Sequence, residues 1–292
     1  MSKNLQTNDV KEILSSDKAL DSFIAQNLRS SLSEIGFSSD FLNELISNLG
    51  TLDVKVFGEK WEEELRQKYS VGFFQNLVPK YFSDYVVPVT PSASKIVDVG
   101  CGTGILDKLY AEEDRFGKVI GIDINPYPEW EIFRNEKIRF DVVEEDKFTD
   151  FLYTEKPDSI VLTWALHHMG YDEQERYLGY ICENLKKDAM VVILEDSYSE
   201  VFSPENGIDK YEKFMEWNVE QRKKIMSVYD WVANRVLAQR EKEPIPCSYR
   251  TLEQWNNVLE KSGFKVIKQK FIGFPSNRDI NTPQSLIVAQ KI

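Results

Sequence analysis

The residues best placed to do chemistry begin with Val97-Asp98-Val99-Gly100-Cys101-Gly102-Thr103-Gly104, where a β-branched stretch turns into glycines and then into the helix-like Ile105-Leu106-Asp107-Lys108-Leu109. Glycine at this spacing bends the backbone sharply and lets a ligand approach bare main chain, where the N–H groups of a helix start lack partners. Nineteen residues past Gly104, a second β-branched run ends at Asp123, whose carboxylate can accept both hydroxyls of a ribose. A strand, a glycine loop, a helix and an acid in that order describe a nucleotide-cofactor site. Two plainer roles stay open: Asp123 as a solvated loop acid, and Asp98, at the mouth of a buried strand, as a cap for backbone N–H groups.

The only two histidines, His167 and His168, are adjacent at the end of a further β-branched run. Histidine titrates near neutral pH and suits general-base work. Because neighbouring strand residues point opposite ways, one of the pair at most is expected to reach a substrate. Glu195 and Asp196 close the run 190–194 and can hold an amine or accept a proton; as ordinary edge acids they would do neither. Cys101, Cys182 and Cys247 are widely spaced and odd in number, so no disulfide framework or zinc spacing can be drawn, and no metal is expected. Cys101 reads as a small filler of the loop, since no neighbouring base would generate its thiolate.

The dinucleotide fingerprint requires glycine at 105, where this chain has Ile105, which weighs against a nicotinamide-dependent oxidoreductase. The observed Asp-x-Gly-x-Gly-x-Gly resembles instead the first motif of the class I, Rossmann-like S-adenosylmethionine-dependent methyltransferases of the small-molecule type, a likeness that covers residues 70–292. The resemblance implies that Asp98, Gly100, Cys101, Gly102 and Gly104 belong to the loop for the cofactor's methionine part, that Asp123 holds its ribose and that Ile124 packs on adenine. The segment 138–145 is similar to the third strand, whose trailing acid meets the adenine amino group; Glu144, Glu145 and Asp146 compete for that place. The segment 157–168 is similar to the fourth strand, which runs under the sulfonium, so Thr163 and Trp164 join the cofactor candidates. His167, His168 and Glu195 are the catalytic candidates. S-adenosyl-L-methionine is the implied cofactor, and the implied reaction is in-line methyl transfer to a small-molecule acceptor, O- or N-methylation ahead of C-methylation. A non-catalytic binding or allosteric subunit of the same fold is the remaining rival.

These residues need a frame. Runs at 96–99, 119–122, 138–143, 159–163 and 190–194 alternate with helix-like stretches, which predicts a parallel sheet with helices on both faces. Two more runs, 264–272 and 285–290, are joined by a loop containing Pro275, Asn277, Asp279, Asn281 and Pro283 and are expected to form an antiparallel hairpin at the sheet edge. The expected fold is α/β: a doubly wound, seven-stranded, mostly parallel sheet with an antiparallel C-terminal hairpin, a helical N-terminal cap and a helical lid insertion. Residues 1–90 form the cap, with Leu20, Ile24, Leu28 and Leu32 at helical spacing and Ser39 as a helix cap before Phe41. Pro88 and Pro91 mark the passage into a methyltransferase domain at 91–292. Within it the alternation lapses over about 200–245, where Ile225, Tyr229, Val232 and Val236 trace one face of a long amphipathic helix, the expected lid. Thr251 and Gln254 form a capping box, and Gly263 supplies the stop of the last helix.

The totals set outer limits. Across 292 residues, 36 basic and 48 acidic side chains leave a net charge of −12, which repels a phosphate backbone and argues against nucleic acid. No apolar run approaches a bilayer span, and the first residues carry no signal-peptide stretch. A cytoplasmic protein, monomer or homodimer, with no membrane partner is the expectation.

Overall fold

The computed structural model describes residues 4–275, 280 and 282–292. The chain opens with helices Thr7–Ser16, Lys18–Glu34, Ser39–Asn48 and Val54–Lys60, as the apolar period requires, burying Leu20, Ile24, Leu28, Leu32, Phe41, Leu42 and Leu45. Each such side chain contributes about 1.5–3 kcal/mol of transfer free energy. The third helix is capped one residue earlier than expected. Ser38 accepts from Phe41 N at 3.2 Å, whereas Ser39 already lies inside the helix. A π-helical stretch, Leu65–Leu77, then leads into the helix Val78–Tyr85 and, through a turn at Val87–Val89, into the sheet.

The strands are β1 Ala93–Val99, β2 Phe116–Asp123, β3 Ile138–Val142, β4 Ser159–Thr163, β5 Met190–Asp196, β6 Phe264–Gly273 and β7 Gln284–Lys291. They lie in the order β3-β2-β1-β4-β5-β7-β6, with β1 to β5 parallel and β7 antiparallel to both β5 and β6. The expected seven-stranded, doubly wound sheet is therefore present, and the hairpin's second strand inserts beside β5, leaving β6 at the edge. Of its connecting loop, Asn277, Asp279 and Asn281 lie outside the described residues. Strand order reverses at β1, flanked by β2 and β4, so the carboxyl ends of β1 and β4 open a crevice between them.

Two helices, Ile208–Met215 and Val219–Trp231, and a second π-helical segment, Val232–Leu237, fill the expected lid region. The amphipathic reading is corrected here: residues 225–232 are buried on every side, because the helix lies inside the molecule and packs on Lys18–Glu34. One continuous apolar core runs from Leu5 through the sheet and the helices at 208–237 to Ala289. The two π segments touch, with Tyr69 Oη donating to Ala233 O at 3.4 Å. Among the described residues no helix is long and apolar enough to cross a membrane.

Candidate functional site

The glycine loop is held in its bend by the neighbouring strand. Gly100, Gly102 and Gly104 have φ of +71°, +52° and +81°, a region that a side chain disfavours. Gly100 N and Cys101 N both donate to Ile122 O, at 2.8 and 3.1 Å, and Gly104 N closes a turn on Cys101 O at 3.0 Å. Asp123 joins loop to strand by accepting from Gly102 N at 3.1 Å and Asn125 N at 3.0 Å. Trp130, stacked on Phe140, donates its indole N–H to Gly102 O at 2.8 Å. A Cβ on Gly104 would stand 2.5 Å from the Phe140 ring, so that glycine serves close packing. At Gly102 a Cβ would meet nothing, because the position faces open space.

That space divides into two cavities that meet at Gly100, Gly102, Trp164, His168 and Arg240. One, of about 210 Å³, is bordered by Asp123, Ile124, Val143, Met169 and Tyr177. The other, of about 140 Å³, is bordered by Cys101, Thr163, His167, Asp196, Tyr229 and Asp230, with Tyr69, Phe73 and Phe82 from the N-terminal side. Trp164 enters between them with a φ of +51°, an unusual conformation for a bulky residue. Its indole donates to Gln284 Oε1 at 2.6 Å, and its ring packs against Tyr81 and Phe82, centroids 5.7 and 5.0 Å away. Gln284 in turn donates to Asp196, which also accepts from Thr282 at 3.1 Å.

The histidines sit together on the smaller cavity. Residues Leu166–His168 form a 3₁₀ turn, so the strand alternation does not apply, and both rings border that space with centroids 4.1 Å apart. His168 Nδ1 lies 2.7 Å from Pro244 O. His167 is almost wholly enclosed: Nδ1 meets Glu195 Oε2 at 2.6 Å, and Nε2 lies 3.9 Å from Asp230 Oδ1. Glu195 is buried beneath it and spends its other oxygen on Ala165 N and Leu166 N, at 3.0 and 2.6 Å. Asp230 accepts from Asn234 Nδ2 at 2.6 Å and from Tyr249 Oη at 2.8 Å. Burial opposes a charge on His167, but Glu195, through its charge and hydrogen bond, and then Asp230 and Asp196 push its pKa up to about 10. The ring is an imidazolium at neutral pH, where a free general base was expected.

The predicted residues thus fall into three groups. Gly100, Cys101, Gly102, Asp123, Ile124, Thr163, Trp164, His167 and His168 border the paired cavities. Asp98, Gly104 and Glu195 lie behind them as supports, and burial, with the charges of Asp107 and Asp98, pushes the Cys101 thiol far up and leaves it inert. Glu144 and Glu145 border neither cavity. Glu144 is the cap position of the helix Glu145–Glu155, and Glu145 points to solvent and pairs with Arg176 at 2.5 Å, so the adenine assignment made for them is not carried by the geometry. Missed from the sequence were Asp230, Asn234, Tyr249 and Arg240. The signal for Asp230 was there: an acid set among Met226, Tyr229 and Val232, where a solvent-facing helix would have no reason to bury it.

A family model described as a methyltransferase domain matches residues 70–269. The chain is 30% identical over 122 residues to an uncharacterized methyltransferase of Oceanobacillus iheyensis, a match covering 41% of this chain and 55% of that protein. The chain spans about half the length of the curated relatives it matches. Among solved structures it is similar to the N,N-8-amino-8-demethyl-D-riboflavin dimethyltransferase of Streptomyces davawensis, at 14% identity and a TM-score of 0.53, covering 92% of this chain and 69% of that one. It is similar also to the pyocyanin biosynthetic protein PhzM, at 15% identity and a TM-score of 0.52, covering 85% and 64%. At these identities the structures attest a shared fold.

Proposed function

The chain belongs to the methyltransferase domain family, and on that premise we propose that it moves the methyl group of S-adenosylmethionine onto the ionised hydroxyl of a small, flat, largely apolar acceptor held against His167. The observation that carries this reading is the buried Glu195, His167 and Asp230 array on the smaller cavity. The residues present fit the cofactor: Gly102 leaves open space where a side chain would stand, and Asp123 borders the same space. Asp123 would take the ribose hydroxyls, Val143, Met169 and Tyr177 would enclose the adenine, and the glycine-loop backbone would receive the methionine part. When bound, S-adenosylmethionine supplies a methyl group already activated on a sulfonium. The protein's share is then to align a nucleophile and exclude water.

His167 serves that task with its charge. Holding a proton at neutral pH, it offers an N–H to an acceptor oxygen that has given its own proton to solvent water, in a charge-assisted hydrogen bond; the S–CH₃ bond then breaks as the O–CH₃ bond forms, leaving S-adenosylhomocysteine. Glu195 and Asp230 hold the ring from its two nitrogens. An amine gains nothing from an imidazolium, which favours oxygen as the target atom. Tyr69, Phe73, Phe82, Trp164 and Tyr229 give the cavity aromatic walls suited to a flat ring.

Calorimetry with S-adenosylmethionine tests the cofactor, and release of S-adenosylhomocysteine across a panel of phenols and amines tests the acceptor. Asp123→Ala is expected to weaken cofactor binding by about 10- to 100-fold, the loss of charged hydrogen bonds to the ribose. Unchanged binding in that variant, or none in the wild type, would sink the reading.

A further inference from the structure

Arg240 stands where the spaces of the cleft meet, and we propose that its guanidinium holds the α-carboxylate at the methionine end of the cofactor. Beside the two cavities already described lies a third, larger one of about 680 Å³, bordered by Phe74, Thr103, Ile105, Lys108 and Tyr127. Among the described residues, Arg240 alone borders all three. The chain around it fixes its position. After the π-helical segment, Gln239 turns with a φ of +54°, Arg240 N donates to Asn234 O at 2.8 Å, and Arg235 Nη1 donates to Arg240 O at 2.5 Å. These bonds use the main chain. The guanidinium itself lies 5.6 Å from the Phe74 ring centroid, and no carboxylate of the described residues pairs with it.

The assignment rests on the cofactor reading above and deepens it. The amino-acid end of S-adenosylmethionine carries a carboxylate that must shed water when the cleft takes it in, and a buried anion without a partner is costly. Of the side chains on the first two cavities that could donate to a carboxylate, His167 is assigned above to the acceptor oxygen, and His168 is tied through Nδ1 to Pro244 O. That leaves Arg240. In a chain of net charge −12 the surrounding potential disfavours an incoming anion, so a fixed cation at this spot does what neutral loop N–H groups cannot. A planar guanidinium also matches a carboxylate with two parallel hydrogen bonds. Since Arg240 arrives from the lid side, the same contact fastens that segment over the glycine loop.

Calorimetry with S-adenosylhomocysteine and with its decarboxylated analogue, which lacks only the group in question, tests this. The wild type is expected to prefer S-adenosylhomocysteine by about tenfold or more. Arg240→Gln should lose that preference while binding the decarboxylated analogue as the wild type does, and Arg240→Lys should keep part of it. The assignment is overturned by equal losses for both compounds in Arg240→Gln, by an unchanged S-adenosylhomocysteine affinity, or by a wild type that binds both equally. A wild type that binds neither overturns the cofactor reading and this assignment with it.

Discussion

Two groups of buried carboxyls lie near the glycine loop, and they are built in opposite ways. Beside the smaller cavity, Glu195 and Asp230 have donors for all their oxygens and a histidine between them. Beneath the loop, Asp98 of β1 and Asp107 of the helix Ile105–Glu112 are fully enclosed, and their carboxyls face each other with no cation paired to either among the described residues. Burial, then the charge of Asp107, pushes Asp98 well above the usual carboxylate range, and burial pushes Asp107 up to about 8. In the first group a histidine and fixed donors replace water around the oxygens. The second has neither, so it keeps a proton. Equal burial therefore yields one array with its oxygens satisfied and one pair that carries a stability penalty under the loop.

The largest effect should come from removing the charge that makes the first group work. Glu195→Gln keeps the shape and one acceptor oxygen but leaves burial of His167 opposed by Asp230 alone among its closest partners. Its turnover is expected to fall by about 10²-fold or more, with the imidazole titrating well below its wild-type position. Two histidines in the whole chain make the NMR titration easy to assign. In the wild type the folded pKa of His167 is raised from 6.5 to about 10, so the stability this ion pair contributes is complete below pH 6.5 and lost as pH rises through 10. A variant imidazole still titrating as in the wild type would erase the contrast between the groups.

The next effect has the opposite sign. Between the ordinary aspartate pKa of 3.8 and the folded value of about 8, folded Asp107 holds a proton that the unfolded chain has released. Stability contributed at this site therefore falls as pH rises across that window and stays low above it. Asp107→Asn removes the titration and supplies an N–H to Asp98, so at pH 8 it should be more stable by on the order of 1–3 kcal/mol. The gain should shrink towards pH 4. Thermal melts across that range check it, and a variant less stable than the wild type at pH 8 would mean that the pair is satisfied after all.

How much of this was legible in the sequence follows from how local each signal is. The β1 strand, the glycine loop and Asp123 lie within one contiguous stretch, and the strand period and glycine spacing locate them without tertiary knowledge. Strand β4 was read to the residue, yet the histidines after it were judged by strand alternation although they sit in a 3₁₀ turn. Asp230 and Arg240 were out of reach for another reason: their partners are 63 and 166 positions away at His167 and Phe74, and only the tertiary fold brings them together. Ser38 and Ser39 differ by one position because either hydroxyl could cap, and the chain's entry angle decides.

The smallest effect concerns an acid that is paired and yet unburied. Glu145 meets Arg176 at 2.5 Å, closer than any contact in the His167 array, but 61% and 48% of the two side chains face water. Water and salt screen such a pair, and ordering two long side chains offsets most of the attraction, so it is worth less than about 1 kcal/mol. Its place in the first turn of the helix Glu145–Glu155 adds a small favourable interaction with the helix N-terminus. Glu145→Gln is thus expected to shift the denaturant midpoint slightly, less so in high salt, and to leave S-adenosylhomocysteine affinity unchanged. A tenfold loss of that affinity would restore Glu145 to the adenine and show that this helix start moves inward when the cleft is filled. An unchanged affinity would mean that distance ranks these acids poorly, and that enclosure with satisfied partners ranks them well.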